Sequence, residues 1–362
     1  MTLDEFLTTS TSTVMAESGP EDRIVMSSRV RLARNLEGHK FPTWAKEPER
    51  VESLKLIRPA IEGLTELKGA FSTGLEDLTM QQKTLLVERH LISREHAAKK
   101  DGSGVVFTKD ESICVMINEE DHLRMQVLKP GLQVEEAWKE VDALDTKLSK
   151  KLEYAFCDER GYLTACPTNV GTAIRVSAML HLPGLVLSDH ITSTISSANK
   201  LGLAVRGLYG EGTEALGNVF QVSNQQTLGE SEIEIVTRLS KALKQILEAE
   251  ENARLKLLED KPSMVYNQIG RAYGILSNAH IIPSKEAMNQ LSLLRLGLDF
   301  NMFTGIDAGS INEMFLSAQP AHLQRQRQQP GKMNAEERDV HRATMLRERL
   351  KKVKRPHLPK LA

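Results

Sequence analysis

The stretch Asn118-Glu119-Glu120-Asp121-His122-Leu123-Arg124 gathers the charge in this chain that is best placed to do chemistry. Three consecutive carboxylates repel one another, so a folded chain keeps them beside a buried strand only where cations, metal or water offset them. The apolar run 113–117 leads into them and reads as a strand that delivers charge to its own end. A solvated acidic loop is the plain alternative. Arg29 and Arg31 bring the opposite sign. They stand two apart in the segment 24–34, and strand residues two apart share a face, so the pair suits a polyanion. An exposed basic edge strand would carry the same pair.

A third dense stretch runs from Tyr162 through Cys166-Pro167-Thr168-Asn169-Val170-Gly171-Thr172 to Arg175. Pro167 and Gly171 break the strand, and a helix is expected from about Thr172. That would put Arg175 near a helix N-terminus, where backbone N–H groups also favour anions. Cys166 falls at the turn, either as a thiol of lowered pKa or as a small apolar filler. Farther on, a strand at 203–206 runs into Gly207-Leu208-Tyr209-Gly210-Glu211-Gly212-Thr213-Glu214-Ala215. Its spacing imitates a dinucleotide fingerprint. Glu211 and Glu214 inside the turn would repel a pyrophosphate, so a carboxylate on a Gly-rich loop fits a cation better. No GxxxxGK[ST] string occurs, and an ATP site would therefore hold its phosphates with side chains. Arg29, Arg31, Arg124, Arg175 and Arg206 all fall at the ends of expected elements. Guanidinium stays charged and meets phosphate oxygens in a planar fork, so such a set could replace a P-loop and stabilise a transferring phosphoryl group. Glu120 and Glu211 are then left for a cationic second reactant.

The elements that must position these groups follow from periodicity. Apolar residues recur at helical spacing over 47–68, and over 76–100 through Leu78, Leu85, Leu86 and Ile92, with His90 near the end. Helices are likewise expected over 133–153, 188–202 and 230–259, and strands at 124–128 and 218–223. Residues 1–22 are rich in Ser, Thr and Gly and are expected to be a mobile N-terminal segment. A chain of 362 residues is long enough for two domains. The net charge of −1 hides an asymmetry. From Pro320 to Ala362 there are 12 Lys and Arg against 4 Asp and Glu, which leaves 35 against 44 elsewhere. That basic tail either attracts acidic partners or keeps the chain soluble. Three cysteines without a CxxC pair argue against a disulfide framework or a zinc knuckle and fit a reducing cytoplasm. Neither a signal sequence nor a membrane-length apolar run is expected.

Four stretches together, Ser27-Ser28-Arg29-Val30-Arg31, the 118–124 loop, Cys166 to Thr172 and Arg206-Gly207 with Gly210-Glu211, resemble the signatures of the ATP:guanidino phosphotransferases, the creatine and arginine kinase family. The resemblance covers residues 23–255 and implies an α+β fold, an antiparallel β-sheet flanked by helices of the phosphagen kinase or glutamine synthetase-like kind. It implies ATP and Mg2+ as cofactors. Carried over motif by motif, it implies that Ser27, Ser28, Arg29, Arg31, His90, Arg124, Arg175 and Arg206 hold the nucleotide. Glu119 and Asp121 would organise Mg2+ through water, while Glu120 and Glu211 hold the guanidinium with Cys166 close by and Glu120 as base. Only 26 residues precede Ser27, so no obvious counterpart is expected for the substrate-closing loop of the small-molecule kinases.

Residues 261–362 read as an all-α C-terminal domain beginning at Lys261-Pro262, and the resemblance implies that it serves dimerisation. This architecture is similar to the bacterial protein arginine kinases of the McsB type. Within it, Arg338-Asp339-Val340-His341-Arg342-Ala343 resembles their allosteric phosphoarginine motif, with Arg338, Asp339 and Arg342 as its binding residues. On a helix Arg338 and Arg342 are neighbours, so two cations could meet a phosphate while Asp339 meets a guanidinium. The resemblance implies transfer of the ATP γ-phosphate to arginine side chains of proteins in bacterial stress response and protein quality control. It further implies a cytoplasmic homodimer or larger oligomer, no membrane or direct nucleic-acid contact, and partners comprising a heat-shock transcriptional repressor, a Clp-type ATPase and a zinc-containing activator. A kinase for a free guanidino metabolite such as arginine, or a non-catalytic adaptor with a basic tail, are the alternatives.

Overall fold

Ile113–Ile117 is buried at every position, and a strand apolar on both faces belongs inside a sheet covered on both sides. In the computed structural model, which describes residues 3–9, 13–207, 215–326 and 331–357, that is where it lies. Among the described residues ten strands form in chain order: β1 (Val25–Arg34), β2 (Phe71–Gly74), β3 (Gly104–Phe107), β4 (Ile113–Ile117), β5 (Leu123–Pro130), β6 (Phe156–Cys157), β7 (Gly161–Tyr162), β8 (Ile174–His181), β9 (Leu203–Gly207) and β10 (Val219–Asn224). Eight of them make one sheet in the order β2-β3-β4-β5-β1-β8-β10-β9, and β6 pairs with β7. The pairs β1–β5, β2–β3, β3–β4 and β4–β5 are antiparallel. Helices flank the sheet in sequence, and six more follow from Glu232 among the described residues.

The chain divides into two compact units that are not consecutive in sequence. The first comprises Met1–Val14, Ser27–Ala178 and Ser223–Lys241; the second comprises Met15–Met26, Met179–Val222 and Ala242–Ala362. The first is built on Val30, Leu32, Val115, Met125 and Val127, none of which is measurably exposed. Residues 3–9, within the segment expected to be mobile, form a helix whose Phe6 is buried against the rings of Phe71 and Phe107. In the second unit, Ile269, Leu291, Leu294, Phe315 and Leu346 share one apolar cluster. The long helix Glu232–Asp260 ends at Lys261, and Pro262 opens the next, where its missing N–H costs nothing.

Two expectations from spacing need correction. The segment 76–100 is two short helices, Met80–Glu88 and Arg94–Ala97. His90 adopts φ +61° between them, a left-handed conformation that stops a helix. Arg175 is not at a helix N-terminus: Ile174–His181 is strand β8. Its residues are buried except Arg175, and that double-sided burial in the sheet outweighs the local break at Gly171.

Candidate active site

Strand alternation puts Arg29 and Arg31 on one face of β1. Ala33, next on that face, lies opposite Arg124 of β5, and Arg31 lies opposite Gln126. Opposed residues of an antiparallel pair share a face, so Arg124 joins the two arginines. Arg175 completes the group from β8, where its guanidinium donates to Ser223 Oγ at 3.2 Å. The four cations are near enough to oppose one another's charge. Burial, then Arg124 and Arg175, lowers the Arg29 pKa to about 10. Burial and then Arg29, Arg124 and Arg175 push Arg31 well below its usual value. Arg31 Nε is buried with no hydrogen-bond partner among the described residues. So many cations held together against their own repulsion make a receptor for a polyanion.

His90 lies beside this face. Gln126 Nε2 donates to His90 O at 2.9 Å, and burial followed by the charge of Arg29 lowers the imidazole pKa to about 4, which keeps the ring neutral. Ser27 is on the same face of β1 and buried. Ser28 is the sequence-predicted nucleotide residue that the fold turns away. Its hydroxyl donates to Gly131 O at 2.7 Å and accepts from Gln133 N at 2.9 Å. It therefore ties β1 to the chain entering helix Val134–Ser149.

The acidic loop is fixed at both ends. Asn118 takes φ +56°, and its amide donates to Arg50 O, Gly102 O and Ser53 Oγ. Glu119 accepts from Arg124 and from Ser93 Oγ. Burial raises its pKa, but Arg124 and Ser93 outweigh that and hold the carboxyl below its ordinary range. Asp121 accepts from Asn35 Nδ2 at 2.6 Å and Ala165 N at 2.7 Å. Glu120, between these two anchored neighbours, is half-buried, and the Cys166 thiol is near enough to act on its carboxyl. Its pKa is raised, first by burial and then by Asp121. A carboxylate with raised proton affinity beside a row of cations can accept a proton from a guanidinium brought between them.

Cys166 stands at the turn that opens the short 3-10 helix Pro167–Asn169, with Sγ 3.0 Å from Thr168 Oγ1. The turn rests on Thr227, whose hydroxyl donates to Thr168 O and Val170 O. Gly171 (φ +113°) is required there, because a Cβ would come 2.1 Å from Thr227 O. Sequence reasoning missed Asn35, Ser93 and Gln126. Asn35 follows the arginine-bearing strand and is 1 % exposed, and its Oδ1 also accepts from His122 N at 2.9 Å. Neutral amides and hydroxyls at ordinary spacing carry no signal until the partner carboxylate is known.

Arg206 is exposed on β9, in the second unit, and Glu211 lies outside the described residues. Arg338, Asp339 and Arg342 fall in helix Ala335–Leu350. Arg342 is 1 % exposed, donating to Ala318 O, Ile282 O and Asp339 Oδ1. Half-exposed Arg338 donates to Met333 O at 2.9 Å. Among the described residues no group of three His, Cys, Asp or Glu could hold a metal ion directly. No described helix is long and apolar enough to cross a membrane.

Comparison with known proteins places this geometry. The family model for the ATP:guanido phosphotransferase C-terminal catalytic domain matches residues 52–253. The model for the protein-arginine kinase McsB C-terminal domain matches residues 262–360. The protein-arginine kinase of Halothermothrix orenii is 43 % identical over 350 residues, 97 % of this chain and 99 % of that one. That of Moorella thermoacetica is 46 % identical over 340 residues, 93 % of this chain and 96 % of the relative. Among solved structures, lombricine kinase superposes with a TM-score of 0.56 at 26 % identity, over 69 % of this chain and 75 % of that chain. A duplicated taurocyamine kinase from Schistosoma mansoni shares the fold, with a TM-score of 0.58 at 23 % identity over 81 % of this chain and 49 % of its own. With four cations on one sheet face, a carboxylate of raised pKa beside them and a near full-length match to its relatives, the chain belongs to the protein-arginine kinase family of ATP:guanido phosphotransferases.

Proposed function

We infer that this protein transfers the γ-phosphoryl group of ATP to the guanidinium of arginine side chains in proteins. The observation that carries the reading is the juxtaposition of Arg29, Arg31, Arg124 and Arg175 with Glu120, a cation cluster for triphosphate beside a carboxylate for guanidinium. Phosphoryl transfer needs alignment and neutralisation of equatorial oxygens, and the four guanidinium groups supply both. The nucleophile is poor, since a guanidinium has its lone pairs delocalised and a pKa above about 12. Glu120 orients it and takes one N–H proton as the N–P bond forms and the bond from the γ-phosphorus to the ADP oxygen breaks. The Cys166 thiol, near enough to lower the pKa of the same carboxylate, would lie close to the guanidinium. By their motif alone, Glu211 and Arg206 are assigned to the same reaction, as second carboxylate and fifth arginine.

Mg2+ carried by the nucleotide phosphates would add neutralising charge. Mg2+ keeps much of its water shell. That suits Glu119 and Asp121, whose oxygens already accept from Arg124, Ser93, Asn35 and Ala165 and would meet the ion through water. Arg338, Asp339 and Arg342 would bind phosphoarginine by exchanging present contacts for the ligand's. The reading extends to a cytoplasmic homodimer or larger assembly in bacterial stress response, with a heat-shock repressor, a Clp-type ATPase and a zinc-containing activator as partners. Co-purification from heat-shocked cells with the wild type and with Glu120→Gln checks that part.

The direct test is mass spectrometry under non-acidic conditions, since N–P bonds are acid-labile, on an arginine-rich protein incubated with Mg-ATP and this enzyme. Phosphoarginine on protein is expected, and Glu120→Gln should slow its formation about 10²–10⁴-fold. Modification of free arginine alone in a parallel reaction would make the protein a metabolite kinase.

A further inference from the structure

A row of aromatic rings leads from the acidic loop to solvent, and the phosphoryl transfer just described makes no use of it. Trp44 is 76 % exposed, more than any other large hydrophobic side chain among the described residues. Its ring stacks on Phe41 with centroids 6.2 Å apart and planes within 1°. Phe41 in turn meets His122 edge-on at 6.3 Å, and His39 meets the same imidazole at 6.1 Å. His122 is two residues beyond Glu120, 1 % exposed, and held by Asn35, the residue that also holds Asp121. All of these side chains belong to one compact unit.

An indole left in water forgoes the free energy of burial, and a single exposed hydrophobic residue needs no explanation. This one is different in being held in place. Trp44 N and Ala45 N both donate to Phe41 O at 2.9 Å, closing a tight turn around buried Pro42. Arg50 Nη1 donates to Ala45 O at 2.7 Å. Lys40, next to Phe41 in the chain, pairs with Glu49 at 2.7 Å. The turn therefore presents an exposed aromatic face on a hydrogen-bonded backbone, of the kind that anchors interfaces. Its inner end is the loop whose Glu120 would meet the reacting guanidinium.

We propose that the Phe41–Trp44 stack is the shelf on which the substrate polypeptide lies, and that it takes an apolar or aromatic side chain flanking the modified arginine. The proposal rests on the protein-arginine kinase reading of the site. Charge complementarity at Glu120 places the arginine, and the ring contacts that run outward from buried His122, two residues further on, through Phe41 to exposed Trp44 place the apolar contact for the neighbouring chain. An extended chain advances about 3.4 Å per residue, so two ring contacts correspond to roughly four residues from the arginine. Free arginine has no flank to place there. Trp44 is accordingly a specificity determinant for protein-borne arginine.

The test uses the full-length enzyme and peptides with a single arginine, carrying Leu or Phe four residues away on either side, against the same peptides with Ser. The wild type should have the lower KM for the apolar flank. Trp44→Ala should raise that KM about ten-fold and erase the preference, with kcat, the KM for ATP and the KM for the Ser peptides little changed. Trp44→Phe should restore most of the preference. Because Trp44 is exposed, neither variant should disturb folding, which a melting curve verifies. In a Trp138→Phe background, emission from Trp44 should shift to the blue when the apolar peptide is added without ATP. If the wild type phosphorylates the peptides but Trp44→Ala keeps the same KM and the same preference, the shelf is overturned while the kinase reading stands. A change of mass in solution for Trp44→Ala, with peptide KM unaltered, would make the stack a contact between copies and likewise overturn it. If the wild type modifies free arginine and no peptide, the kinase reading itself fails and the shelf with it.

Discussion

At the scale of single residues, three adjacent carboxylates acquire three different environments. Glu119 is held low by Arg124 and Ser93, whereas Glu120 is raised by burial and by the charge of Asp121. A base works deprotonated, so the acid limb of kcat/KM should lie above the ordinary glutamate value, with activity lost as pH falls through the raised pKa. Asp121→Asn keeps an oxygen for Asn35 and Ala165 while removing a negative charge, so a pH–rate profile of that variant should show the limb displaced to lower pH. Asn35 is the less visible contributor. Asn35→Ala would leave Asp121 Oδ1 with Ala165 N as its remaining donor and strand the His122 N–H in the interior, at a cost of about 1–3 kcal/mol. Denaturant unfolding should report that loss. Initial rates should show lower kcat with little change in the KM for ATP, since Asn35 contacts the carboxylate loop.

At the scale of elements, the helix Ala335–Leu350 shows how one charged string can serve two purposes. Arg342 donates to two backbone carbonyls, Ala318 O and Ile282 O, as well as to Asp339. Arg342→Ala should therefore destabilise the second unit by about 2–4 kcal/mol, because it leaves buried acceptors unsatisfied. Arg338 is half-exposed with one bond to Met333 O, so Arg338→Ala should leave the melting temperature within about a degree or two of wild type. Loss of phosphoarginine binding by Arg338→Ala in calorimetry would then report on the site itself. The same loss in Arg342→Ala would mix binding with folding.

For the whole molecule, function and stability pull against each other at the arginine face. Arg31 is half-buried beside Arg29, Arg124 and Arg175, and its buried Nε lacks a partner among the described residues. Removing such a cation relieves repulsion and desolvation. Arg31→Met should not lower the melting temperature of the nucleotide-free protein. The wild type should gain stability on adding Mg-ATP, about 2.7 kcal/mol at a hundred times Kd, and Arg31→Met should gain far less. Thermal melts with and without nucleotide decide this. An unchanged nucleotide shift would remove Arg31 from the phosphate site.

How much of this could be read without coordinates depends on the kind of residue. Charge cannot be hidden, so 118–124, Arg29 with Arg31, and Arg124 announce themselves by type and spacing, and β1, β4 and β5 by alternation or continuous apolarity. Arg175 is placed wrongly by local punctuation, because Gly171 breaks the chain yet only pairing within the sheet makes Ile174–His181 a strand. Ser28 looks identical to Ser27 in a motif, and the pleat alone decides that its hydroxyl turns to Gly131 and Gln133. Asn35, Ser93 and Gln126 meet their partners across 86, 26 and 36 residues of chain. Residue type thus settles which groups can carry charge and transfer protons. Proximity across the fold settles which of them repel, which are anchored and which stay available, because electrostatic and hydrogen-bond energies depend on distances that no local pattern encodes.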